Sequence, residues 1–131
     1  MSASDITDLI GRLEEATEAE QGDLLIEAAV RAGQRGWITE SQRWRASALI
    51  HIGAFIDAAL MLVPENADWI VSRVTDLSQM RIGFTGVIET LQGQGEVDRP
   101  FRMEHKAHAV AATPALALAS AALKARVSEM E

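Results

Sequence analysis

Residues 113–126 read TPALALASAALKAR, and their reading decides the fold. Thr113 is a good helix N-cap, and Pro114 suits the first helical position, where its missing N–H would have no partner anyway. Leu116, Ser120, Leu123 and Val127 then fall on one stripe, which predicts a helix to about Met130 whose many alanines allow close approach to a flat surface. That surface lies upstream. Residues 68–75 (DWIVSRVT), 81–89 (RIGFTGVIE) and 101–109 (FRMEHKAHA) replace the 3.6-residue period with alternation, and each reads as a strand. In the second, Ile82, Phe84 and Ile88 share a face; in the third, Phe101, Met103, His105, Ala107 and Ala109 oppose Arg102, Glu104, Lys106 and His108. Residues 76–80 read as a turn, and residues 90–100, with Gly93, Gly95, Asp98 and Pro100, as a longer flexible loop. Three consecutive antiparallel strands with one apolar face need a helical cover.

Further upstream the helical period returns. Ser4 precedes Ile6, Leu9, Ile10 and Leu13, an N-cap followed by an amphipathic stripe, so a first helix is expected over about residues 5–17. A second, over about residues 23–32, would bury Leu24, Leu25, Ala28 and Ala29, with Gly33 and Gly36 supplying its stop. Thr39 or Ser41 opens a third, because Trp44, Ala48, Ile52, Phe55, Ile56, Ala59, Leu60 and Val63 keep helical spacing up to Pro64. Gly53 in its middle costs about 1 kcal/mol relative to Ala and marks a break, leaving a shorter helix from Phe55 to Val63. The expected architecture is α+β: a three-stranded antiparallel meander covered by helices, in the order α-α-α-β-β-β-α, as a single α-β-α layered domain over residues 1–131.

Composition narrows the function by exclusion. A chain of 131 residues buries roughly two-thirds of its unfolded surface, so a metal or disulfide staple is not required. Without cysteine there is no disulfide scaffold, thiolate zinc site or thiol nucleophile. The longest strongly apolar stretch, residues 54–63, carries Asp57 and is about half a membrane span, and residues 1–8 lack the basic and apolar regions of a signal peptide. The net charge of −7 opposes binding to nucleic acid or anionic lipid. It is unevenly placed. Residues 1–30 hold eight acids against Arg12 alone, whereas residues 31–45 hold four arginines against Glu40.

Few motifs carry chemistry. Gly93 and Gly95 have neither the lysine nor the following helix of a phosphate loop. His105 and His108 are three apart, which on an alternating strand sends them to opposite faces and makes a shared metal ion geometrically poor; His105 reads as partly buried and His108 as exposed. His51 and Asp57 are six apart on the third helix, too far round it for a pair, and no nucleophile elbow is present. No catalytic residue, metal site or cofactor is therefore expected, unless a deep pocket brings His51, His105 or Asp57 together. Arg43, Trp44 and Arg45, with Arg31, Arg35 and Trp37 nearby, are the one place where cations and aromatics interleave. That pattern stacks bases or cradles anions, and it also suits a protein interface, where Trp and Arg are over-represented. Packing of Trp44 in the core with solvated arginines is the plain structural alternative.

Residues 56–64 (IDAALMLVP), Trp69 and residues 113–126 together resemble a family of small phage and prophage α-β-α sandwich proteins, over about residues 5–127. The chain departs from that pattern before Phe55, where the family has a loop, and in the Gly-rich join before Pro100. The resemblance implies phage or prophage origin, a helix-sheet-helix sandwich and residence in the host cytoplasm or the virion. It carries no assigned activity and transfers no functional residue. The α-β-β-β-α tail also resembles double-stranded RNA binding domains and HicB-like antitoxin domains, but residues 113–119 lack the phosphate-holding lysines of the first, and the Pro-Gly-Cys strand end of the second is missing.

The combined expectation is a non-enzymatic accessory protein acting through contacts with a phage or host protein, with neither a membrane nor nucleic acid as partner. The alternative is an anti-defence binder that sequesters a nucleotide or mimics DNA with its acidic first helices. The third helix offers more large side chains than a three-stranded sheet covers, so a homo-oligomer, first of all a two-fold dimer, is expected there, with Arg43, Trp44, Arg45 and Trp37 as interface residues.

Overall fold

A computed structural model describes residues 3–65, 67–76, 81–92 and 102–130. In chain order the elements are α1 (Ala3–Glu15), a 3₁₀ turn (Glu18–Glu20), α2 (Gln21–Gln34), α3 (Glu40–His51), α4 (Phe55–Leu60), β1 (Ala67–Asp76), β2 (Arg81–Gln92), β3 (Arg102–Ala111) and α5 (Pro114–Met130). This is the α+β order expected, with the third helical stretch divided at Gly53. The remainder of the turn after Asp76, residues 77–80, and of the loop before the third strand, residues 93–100, lies outside the described residues, as does Phe101, expected to open that strand. Ser4 falls inside the first turn of α1 rather than ahead of it.

The start of α5 follows its sequence signature. The Thr113 hydroxyl accepts from the Leu116 N–H at 3.1 Å, and the Thr113 carbonyl accepts from the Ala117 N–H at 3.0 Å. The three strands form one antiparallel meander in the order β1-β2-β3, with Trp69 opposite Ile88 and Ile88 opposite Ala107. One face of this sheet, holding Phe84, Gly86, Ile88, Ala107, Ala109 and Ala111, meets α5. Gly86 is where the two backbones approach most closely, since a Cβ placed there would lie 2.6 Å from the Ala117 carbonyl oxygen.

The layer order differs from the expected α-β-α sandwich. Asp68, Ile70, Ser72, His108 and Val110 are exposed on the other face of the sheet, and among the described residues no helix packs there. The sheet is an outer layer, α5 is the middle one, and α1, α2 and α4 cover the far side of α5. The cause is visible in α5 itself: Leu116, Ala117, Leu118, Ala119, Ser120, Ala121, Ala122 and Leu123 are all completely buried, so the helix is apolar all round rather than amphipathic. Against it α1 lays Ile6, Leu9 and Leu13. The one polar member of this run, Ser120, donates to Glu14 on α1 at 3.3 Å. Glu14 also pairs with Lys124 at 2.9 Å, and Lys124 donates to the His108 carbonyl at 3.1 Å, so α1, α5 and β3 share one polar clasp.

A second correction concerns β3. The register skips between Ile88 and Glu89, which pair with Ala107 and His105, leaving Lys106 as a bulge residue. A bulge interrupts the alternation, so the faces counted along residues 101–109 do not run through it. His108 is exposed as expected, while the side chain of His105 lies outside the described residues.

The join between α1 and α2 supplies a pH-dependent element. The Glu20 carboxylate accepts from both the N–H and the hydroxyl of Thr17, each at 2.9 Å, and these bonds, the backbone one first, hold its pKa below the ordinary glutamate range. A depressed carboxylate stabilises the fold above its unfolded pKa, and that contribution is lost as pH falls through its folded value. Acidification from pH 6 to pH 3 is therefore expected to speed amide exchange at Thr17, and Glu20→Gln to remove the part of that dependence due to Glu20. An unchanged pH profile in the variant would contradict the assignment.

Candidate functional site

The Arg and Trp cluster is positioned by two helix ends of the same design. Gly36 (φ +75°) and Gly53 (φ +81°) adopt the left-handed conformation that closes a helix, and the Trp37 and Ala54 N–H groups reach back to the Ala32 and Leu49 carbonyls. The first closure ends α2, so that Gly36 rather than Gly33 is the stop; the second ends α3. Between them Thr39 caps α3, accepting from the Gln42 N–H at 3.1 Å while the Gln42 side chain accepts from the Thr39 N–H at 2.8 Å.

The orientation of α3 then follows from its smaller apolar residues. Ala46 and Ile50 turn inward and are buried, which rotates Trp44, Ala48 and Ile52 outward. Trp44 is 62% and Ile52 78% exposed. The stripe read as core along residues 44–52 is thus an outer surface, because the buried row lies two residues away from it.

The four interface candidates separate into two kinds. Arg43 lies over the Trp44 ring, 5.1 Å from its centre, with its stem against Gly33 of α2, and Arg45 is exposed beside it. Trp37 packs partly against the core and is covered by Arg35 at 5.7 Å. Trp44 and Ser47 of α3 form one wall of a groove of about 150 Å³ whose other wall is Ile26, Ala29 and Val30 of α2. The structure therefore brings Arg43, Trp44 and Arg45 to one surface and withdraws Trp37 from it.

A larger cleft, about 530 Å³, opens between the start of α4 and the β3–α5 junction. Gln21, Phe55, Phe84 and Thr113 line it, with Glu18 and Asp57 at its edge. Sequence reading missed it because its residues come from four separate stretches; the local signal was a glutamine at the start of α2, on the helix face that Leu25 and Ala28 bury. His51 is exposed and does not join Asp57 in the cleft. Among the described residues no three His, Asp or Glu side chains gather closely enough to hold a metal ion, and no helix is long and apolar enough to cross a membrane.

No protein-family model matches the chain, and no match was found among curated proteins or solved structures.

Proposed function

We propose that this chain is a non-enzymatic accessory protein of phage or prophage origin, resident in the host cytoplasm or the virion, that works through protein–protein contacts made by the outer face of α3. A second copy of the chain is its first partner. The observation that carries the reading is the exposed row Trp44, Ala48 and Ile52, spaced i, i+4 and i+8. A row ordered large, small, large is its own complement. When two α3 helices cross antiparallel about a two-fold axis at Ala48, each Trp44 faces the other copy's Ile52 and the two alanines allow close approach. Arg43 and Arg45 border the row, and Trp and Arg are among the residue types enriched at interface hot spots. The sequences IDAALMLVP and TPALALASAALKAR support the phage reading by resemblance.

Capture from infected cells and from purified virions, with Ala48→Glu as the control, tests the contact surface. The reading expects protein partners recovered by the natural chain and lost by the variant. Recovery of a specific small-molecule product with no protein partner would overturn it.

A further inference from the structure

We infer that the free edge of β1, at Trp69, Val71 and Arg73, takes an extended segment of another protein as a fourth, antiparallel strand, with an acidic side chain opposite Arg73 and aliphatic ones opposite Val71 and Trp69. This surface is separate from the α3 row. The sheet has two edge strands, β1 and β3, and they differ in how they are protected. Sheets blunt their edges with bulges, charged residues and proline. Strand β3 carries a bulge at Lys106 and charged residues at Arg102, Glu104 and Lys106. Strand β1 has neither device: its ten residues pair with β2 without a skip, and they include no proline or lysine. Among the described residues β1 packs only against β2 and α5, so no element runs along its open side.

Two hydrogen bonds show which backbone groups face that side. The Ala67 N–H donates to the Pro64 carbonyl at 3.1 Å, and the Trp69 N–H donates to Asp68 Oδ1 at 2.9 Å, so neither bonds to β2. Alternate residues of a strand send both N–H and C=O to the same neighbour. Val71 and Arg73 therefore also face away from β2, and unlike Ala67 and Trp69 their N–H groups have no local acceptor among the described residues. A row of open main-chain donors and acceptors admits another main chain, which sets the class of occupant. The side chains set its sequence. Trp69, Val71 and Arg73 lie opposite Ile88, Gly86 and Phe84 on the sheet face that carries α5. At this margin Trp69 remains 40% exposed, Val71 is half-buried, and Arg73 is exposed with no ion pair among the described residues. An incoming antiparallel strand that reads acid, any residue, aliphatic, any residue, aliphatic pairs its carboxylate with Arg73 and covers Val71 and Trp69.

Titration with the end-capped peptide TETVTVT, followed by calorimetry and by amide exchange at Val71 and Arg73, tests this. In the antiparallel alignment its glutamate lies opposite Arg73 and its valines opposite Val71 and Trp69. The peptide is expected to bind and to slow exchange at both amides. N-methylation of its first valine, whose N–H faces β1, is expected to weaken binding roughly tenfold, and N-methylation of the next threonine, whose N–H faces away, to leave it unchanged. Arg73→Glu, at an exposed position, is expected to weaken this peptide roughly tenfold and to favour TKTVTVT instead. Ala48→Glu is expected to bind as the natural chain does, which keeps this result separate from that of the α3 contact. No protection of Val71 and Arg73 at millimolar peptide, equal effects of the two methylations, or an unchanged peptide preference in Arg73→Glu would overturn the inference. An Ala48→Glu chain that stays dimeric and becomes monomeric only when Val71→Pro is added would give the edge to a second copy and overturn it as well.

Discussion

Replacing Gly86 with valine is expected to destabilise the protein by about 3 kcal/mol, near the upper end of overpacking penalties. A Cβ at this position lies 2.6 Å from the Ala117 oxygen, 2.7 Å from the Ala117 carbonyl carbon and 2.9 Å from the Leu118 nitrogen. All three atoms belong to the α5 backbone, so no side-chain rotation relieves the clash. Relief requires α5 to move off the sheet, yet α5 is held on its other sides by α1, α2 and α4, and that movement would open space along Ile88 and Ala109 as well. Urea denaturation checks this: the midpoint is expected to fall with the slope unchanged. A loss below about 1 kcal/mol would mean that α5 and β2 are not in backbone contact.

The second large effect is expected from Leu118→Ala, at about 3 kcal/mol, as for other fully buried leucines truncated to alanine. Leu116 and Leu118 are two residues apart and so about 200° apart around α5, on opposite sides of it. Both are completely buried. A helix lying on the outside of a sheet would tolerate truncation on its outward side, whereas a middle layer tolerates it on neither. Equal and large losses for Leu116→Ala and Leu118→Ala are the expected result, and a loss under about 0.5 kcal/mol for either one would restore an outer position for α5.

These two residues also show why part of the fold was legible in sequence and part was not. The identity of α5 is written in local chemistry, since Thr113 and Pro114 do at its N-terminus what their hydrogen-bonding capacity dictates. Its depth in the molecule is not. Alanine is compatible with a buried, half-buried or exposed helix face, so the run from Ala115 to Ala125 fixed the helix and left its neighbours open. The strands were readable from alternation until the bulge at Lys106, where one extra residue shifts the count and a parity argument about His105 and His108 loses its basis.

In α3 the failure has another origin. Trp44, Ala48 and Ile52 form a helical row, but so do Ala46 and Ile50, and the weight of the tryptophan favours the wrong one. Which row faces inward is settled by tertiary packing against α2 and α4, which no local pattern encodes. The Arg43 and Trp44 pair was visible as neighbouring residue types, while the cleft was not, because Gln21 and Thr113 meet across 92 positions of sequence.

The exposed α3 row is the feature on which the proposed contact function depends, and the mass of the purified chain in solution tests it most directly. At tens of micromolar, light scattering is expected to give twice the 14.2 kDa of one chain, falling to 14.2 kDa on Ala48→Glu, in which two carboxylates would meet at the two-fold axis. A natural chain that scatters as a 14.2 kDa species at that concentration would contradict self-association through α3.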